Sequence, residues 1–242
     1  PRVHEAINEE WISDKTRHAC DGLSSQRLDK PYVRNAAGKL QPASWGDALA
    51  VVASRLNGLK PSEIAVIAGN LANVEALVAL KDLADSYGIV SRDCRQEGAM
   101  LPASQRGDYL FNSTIEGIDS ADFILFVGAN PRKEAAMVNA RIRKRFLKGG
   151  LSVYNLGEAA DMTYAVEQLG TDPRILSEIA AGAHPLAARI RDAKNPMVIV
   201  GMSALARTDG AEILAACKAL SSQLGVVKEG WMALTCCTMP LG

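Results

Sequence analysis

The chain of 242 residues is 48% hydrophobic, enough apolar material for one large core or two smaller ones, and its 27 Lys plus Arg balance 27 Asp plus Glu. No net field therefore draws it toward nucleic acid, and the longest apolar runs, such as residues 197–200, fall far short of the roughly 20 residues that cross a bilayer. Five cysteines, Cys20, Cys94, Cys217, Cys236 and Cys237, form an odd set without regular spacing, which fits a reducing compartment better than a disulfide framework, and no charged-then-apolar signal segment opens the chain.

In chain order, residues 1–42 read as irregular, with one short helix around residues 9–16, and Trp11 and Tyr32 there need cover from a neighbouring domain. The start at Pro1 reads as the middle of a longer protein. Ser44 caps a helix over residues 45–57, with Ala48, Leu49, Val52 and Leu56 on one side and Gly58 behind it. Residues 63–68, EIAVIA, predict a strand; Gly69 and a helix over residues 73–87, striped by Leu77, Leu80, Leu83 and Ala84, complete a βα unit. Residues 88–119 lose all periodicity apart from a short strand at 89–91, and a connection this long is functional or interfacial.

Residues 121–149 organise the rest. The apolar run 123–127 is too short for a core helix and closes at Gly128, so it predicts a buried parallel strand. Val138, Ile142 and Phe146 then recur every fourth residue on a helix starting near Lys133. A strand over 151–156 ends at Gly157, a helix over 173–181 has Pro173 behind a capping Asp172, and another covers 185–193. Pro196 opens a strand over 197–200 that ends at Gly201, and residues 210–224 close with Ile213, Leu214, Cys217, Leu220 and Leu224 inward. This alternation predicts an α/β fold with doubly wound parallel sheets. Strand-end glycines at Gly69, Gly128, Gly157 and Gly201 put any ligand crevice above the carboxyl edge.

Candidate chemistry is sparse. The turn Gly128-Ala129-Asn130-Pro131-Arg132 offers free N–H groups at a helix start, either an anion site or ordinary turn chemistry, but it lacks the further glycines of a dinucleotide fingerprint. Arg141, Lys144, Arg145 and Lys148 make one helix face strongly basic, either solvated or a docking surface for an acidic partner. Gly201-Met202-Ser203-Ala204-Leu205 comes near a nucleophile elbow without its closing glycine, and His184, before Pro185, suits a helix start better than a general base. Cys94 sits between Arg92 and Arg95, an arrangement that favours thiolate only if all three share one exposed site. No pair of Cys or His residues has metal-ligand spacing, so the residues show no catalytic constellation.

Several stretches nevertheless carry a resemblance: INEEWISDKTRHACDGLSSQRLDKPYVRN (7–35), EALVALKDL (75–83), YLFNSTIEGIDSAD (109–122), VGANPRKEAAMVNARIRK (127–144) and MVIVGMSALARTDGAEILAA (197–216). Together they resemble the large peripheral-arm subunits of respiratory complex I, the G-type subunits of NADH-quinone oxidoreductase, in the alphaproteobacterial and mitochondrial branch. That resemblance implies a molybdopterin oxidoreductase-like fold of the formate dehydrogenase and DMSO reductase kind. In the catalytic relatives such glycine loops hold pterin dinucleotide phosphates, so Gly128, Asn130 and Arg132 are candidates for a vestigial phosphate loop, while nothing matches the metal ligand. It implies [2Fe–2S] and [4Fe–4S] clusters bound before the segment corresponding to Pro1, hence no cofactor in this portion, with Cys20 lying after those motifs.

The function implied is a cluster-free structural portion of a subunit that, complete, passes electrons from NADH and flavin toward quinone; alone it is inactive. Its implied partners are other peripheral-arm subunits, with no nucleic acid and no membrane insertion, on the cytoplasmic side of a bacterial inner membrane or the matrix side in mitochondria. Two alternatives stay open: a pterin-binding molybdenum or tungsten oxidoreductase fragment, and a cofactor-free adaptor using the Arg141 to Lys148 face. The resemblance stops after Trp231, where one base dropped from a family-like coding segment reads out the observed residues. The expected organisation is thus an irregular segment (1–43), a first lobe with its long connection (44–119), a second lobe (120–231) and an out-of-frame, disordered tail (232–242).

Overall fold

The computed structural model describes residues 2–69, 72–94, 106–228, 231–232 and 234–237. The chain divides into two compact units, Asp14–Gln96 on the one hand and Pro1–Ser13 with Glu97–Gly242 on the other. The first thirteen residues thus fold with the larger unit, not with the segment that follows them.

The smaller unit holds α1 (Asp14–His18), an antiparallel hairpin of β1 (Tyr32–Arg34) and β2 (Leu40–Pro42), α2 (Trp45–Leu56), β3 (Ala65–Ile67), α3 (Val74–Ser86) and β4 (Ser91–Asp93), which runs parallel beside β3. The first long helix starts where its predicted cap places it, Ser44 accepting from the Asp47 N–H, and the second is capped by Asn73, read from the sequence as its first residue, which accepts from the Ala76 N–H. The helix expected around residues 9–16 instead begins at Asp14, and the strand expected at 89–91 begins at Ser91. The hairpin escapes notice because three-residue strands carry no periodicity; Asn35 turns it, its Oδ1 accepting from the Ala37 and Lys39 N–H groups. The core is small, Ile64, Ala84 and Ile89 with Leu56, Val66 and Tyr87 against them, and the apolar side predicted for α2 stays largely open, Leu49 and Val52 being exposed.

The larger unit runs α4 (Thr114–Gly117), β5 (Phe123–Val127), α5 (Pro131–Glu134), α6 (Ala136–Leu147), β6 (Ser152–Leu156), β7 (Glu167–Gly170), α7 (Arg174–Ala180), α8 (Leu186–Asp192), β8 (Pro196–Gly201), α9 (Met202–Leu205), α10 (Gly210–Gln223), β9 (Val227–Lys228), β10 (Trp231–Met232) and β11 (Leu234–Cys237). β9 and β10 form a short antiparallel pair, and the other five strands make a parallel sheet in the order β11-β8-β5-β6-β7. The chain leaves β5 toward β6 and β7, then returns to β8 on the other side, so the order reverses between β5 and β8 as in a doubly wound sheet. All five residues of β5 are buried between its neighbours, Val127 standing opposite Val200 and Leu156, and Phe123 stacks on Tyr154 with ring centroids 5.1 Å apart.

Three details differ from expectation. The helix predicted from Lys133 is two, because Ala135 (φ −146°, ψ 67°) breaks it. β7 has no apolar run, being the polar edge strand Glu167-Gln168-Leu169-Gly170, and so gives no strand signal. Where a disordered end was expected from Met232, the backbone of Leu234–Cys237 extends the sheet parallel to β8, from Leu234 opposite Val198 to Cys237 opposite Gly201. Residues 233 and 238–242 of that tail, like residues 95–105 of the long connection, lie outside the described residues.

Candidate functional site

β5, β6 and β8 end side by side, and above those ends opens a crevice of about 1060 Å³ whose lining includes Gly128, Asn130, Arg132, Asn155, Ser203 and Arg207. Its place, at the strand-order reversal and the carboxyl edge, is the one the strand-end glycines predict. Those glycines are first of all contacts between neighbouring turns. Gly128 has φ +55°, and a Cβ on it would stand 2.6 Å from the Ala204 Cβ and 2.8 Å from the Ala204 backbone nitrogen. A Cβ on Gly201 would stand 2.1 Å from the Gly128 carbonyl oxygen, which also accepts a hydrogen bond from the Ser203 hydroxyl. The Gly128 N–H donates to the Leu156 carbonyl at 2.9 Å.

The Asn130 N–H and the side chains of Asn130 and Arg132 are engaged within the protein. The Asn130 N–H donates to Glu134 Oε2 at 3.3 Å, and the Asn130 side chain accepts from the Lys133 N–H. Glu134 thereby sets a carboxylate where an anion would approach; half-burial raises its pKa, against the opposing pull of the Asn130 hydrogen bond. Arg132 Nη1 donates to the Asp161 carboxylate at 2.6 Å and to the Asp161 carbonyl at 2.8 Å. The Thr163 N–H, and after it Arg132, holds the Asp161 carboxyl below its usual range. Arg207 is paired with Asp209 at 2.6 and 2.8 Å. Asn155 is buried, its Nδ2 donating to Gln168 Oε1 at 2.8 Å and to the Glu158 carbonyl at 3.0 Å, while its Oδ1 has no partner among the described residues.

The basic helix also turns inward. Arg141 is 7% exposed, and its Nε and Nη2 both reach Asp119 Oδ2, at 3.2 and 3.1 Å. Nη2 further donates to the Glu5 carbonyl at 2.8 Å and lies 3.5 Å from the Glu9 carboxylate, which Lys144 meets at 2.7 Å. Arg145 donates to the Gly149 carbonyl at 2.7 Å, capping the end of α6, and Lys148 is exposed. Of the four residues predicted to face a partner, Arg141 is instead buried as a clamp on the N-terminal stretch, Lys144 is engaged by Glu9, Arg145 is half-buried and Lys148 is exposed. Glu9 and Asp119, the acidic partners, went unrecognised because they lie far from Arg141 in sequence.

The remaining candidates stay apart. Ser203 has no histidine beside it in the crevice lining, and His184 Nδ1 accepts from the Leu186 N–H at 3.2 Å, at the start of α8. Cys20 and Cys94 are exposed and Cys217 is buried, Arg92 being engaged by Asp85 at 2.6 Å. Among the described residues no three His, Cys, Asp or Glu side chains gather as a metal site.

A family model described as molybdopterin oxidoreductase matches residues 27–239, and one described as NADH-ubiquinone oxidoreductase NDSU1/NuoG-like, 4Fe-4S domain, matches residues 1–21. The chain is 45% identical over 234 residues to NADH dehydrogenase (ubiquinone) iron-sulfur protein 1, mitochondrial, of Solanum tuberosum, covering 97% of this chain and 32% of that protein. It is 42% identical over 231 residues to the G-type subunit of NADH-quinone oxidoreductase of Rickettsia bellii, covering 96% of this chain and 34% of the relative, and 43% identical over 229 residues to the corresponding protein of Rickettsia felis, covering 95% and 34%. The chain spans about a third of the length of these curated relatives. The resemblance read from the sequence stands.

Proposed function

The chain belongs to the molybdopterin oxidoreductase family, and on that premise we propose that it is a cofactor-free structural portion of a complex I peripheral-arm subunit. In complete form that subunit passes electrons from NADH and flavin toward quinone; this portion holds the fold on which neighbouring subunits rest. It lies on the cytoplasmic or matrix side of the membrane, and no helix among the described residues is long and apolar enough to cross one.

The observation that carries the reading is that the Asn130 N–H and the Arg132 and Arg207 side chains at the crevice are engaged within the protein. A pterin dinucleotide needs backbone N–H groups and cations free for its phosphates. Here the Asn130 N–H is taken by Glu134, Arg132 by Asp161 and Arg207 by Asp209, and the Gly128 turn is pressed against Ala204. The residues present do not fit that cofactor. Gly128, Asn130 and Arg132 are a vestige of a phosphate loop. An iron–sulfur cluster fares similarly: the segment matched by the 4Fe-4S model contains a single cysteine, Cys20, where a cluster takes several thiolates.

Elemental analysis of the assembly isolated through a tag on this chain tests the reading. Molybdenum and tungsten are expected well below one equivalent per chain; a stoichiometric content of either that survives gel filtration would replace this reading with the catalytic one.

A further inference from the structure

Beside the clamp, the N-terminal stretch and α6 enclose a groove of about 550 Å³. Its apolar lining comes from Ile7 and Trp11 of the N-terminal stretch and Met137, Ala140 and Leu147 of the helix, and Ile7, Trp11 and Leu147 are 51%, 58% and 66% exposed. Apolar side chains of this size exposed together in one concavity mark an interaction site far more often than scattered ones do. Arg143 and Lys148 also line it, both exposed and without a carboxylate in ion-pair range among the described residues, whereas Lys144 is neutralised by Glu9.

We infer that this groove docks an acidic amphipathic segment of a partner polypeptide, one that sets apolar side chains on Trp11 and Leu147 and carboxylates against Arg143 and Lys148. The inference rests on the structural-platform reading above, since the partner belongs to the same assembly. Charge complementarity selects the occupant: two unmatched cations beside an apolar lining ask for carboxylates flanking apolar side chains. Shape argues for a peptide over a lipid surface, because a bilayer is met by a convex apolar face and here the apolar groups line a concavity walled by the Glu9 segment. Preorganisation adds to it, for Arg141 and Lys144 already hold that wall in place, so little ordering entropy opposes docking.

A photo-reactive amino acid introduced in place of Leu147, in the chain as part of its assembly, provides the test. The expected product is a cross-link to a segment of a different polypeptide bearing at least two carboxylates within about two helical turns of apolar residues. The double variant Arg143→Glu, Lys148→Glu, with its fold verified by circular dichroism, is expected to lower the cross-link about tenfold at low salt and less as salt rises. A cross-link within the chain or to a second copy, no cross-link, an unchanged yield in the double variant, or preferential capture by phosphatidylserine vesicles would each overturn the inference. Co-migration of the wild-type chain with the assembly on a native gel separates the two readings. If it co-migrates without the cross-link, the groove alone fails; if it does not co-migrate, both fail.

Discussion

Removing the Arg141 guanidinium deprives Asp119 and the Glu9 segment of a shared cation, and it does so where Arg141 is 7% and Glu9 16% exposed in their side chains. Breaking a pair this buried leaves an uncompensated charge, so Arg141→Ala is expected to lower the unfolding free energy by about 3 kcal/mol. Arg141→Lys should recover only part of that, because one ammonium cannot reproduce the Nε and Nη2 contacts to Asp119 Oδ2. Urea titration decides it, and a loss within about 0.5 kcal/mol would class the contact with ordinary surface pairs. Glu134 gives a prediction in pH. Burial raises its folded pKa above the ordinary 4.5, so its contribution to stability is fully present below 4.5 and is lost as pH rises through the folded value. Glu134→Gln keeps the acceptor for the Asn130 N–H without the charge. It is therefore expected to flatten that decline and to be the more stable form at neutral pH, which unfolding curves on either side of pH 4.5 would show. At this scale the sequence was least legible: helical spacing treats a charged residue as solvent-facing, and the partner of Lys144 lies 135 residues away.

The strand-end turns are the elements on which the crevice depends. A methyl group on Gly201 would meet the Gly128 carbonyl oxygen at 2.1 Å, and a backbone atom cannot swing aside as a side chain can. Gly201→Ala is expected to cost at least about 3 kcal/mol, at the upper end of overpacking effects. A variant as stable as the parent would mean that the turns are not in contact. Helix caps make a milder, local case: Asn73→Ala should cost about 1 kcal/mol through loss of the Asn73 Oδ1 bond to the Ala76 N–H, read as lower hydrogen-exchange protection in the first turn of α3. Elements of this kind were legible because each carries its own signal, a cap for α2, an apolar stripe for α3, a continuous apolar run for β5 and β8. β7 was not, since its pairing with β6 is set by the sheet and not by its polar sequence, and the Ala135 break between α5 and α6 leaves no mark in the fourfold recurrence of Val138, Ile142 and Phe146.

For the whole molecule, the doubly wound sheet followed from alternation alone, and the crevice followed from the order in which the strands must then stand. What the crevice does could not be read that way, because Gly128, Asn130 and Arg132 have the same residue types whether they hold a phosphate or their own neighbours. The proposed reading rests on the positions of Glu134, Asp161 and Ala204. A chain whose crevice arginines are paired with its own carboxylates is expected to serve as structure within an NADH-oxidising assembly. The most direct measurement of that role is native gel electrophoresis of a membrane extract from cells bearing a tag on this chain, stained in the gel for NADH oxidation. The tag and the NADH-oxidising band are expected to coincide at the size of a multisubunit complex; a tag that migrates apart from all such activity would contradict the structural role.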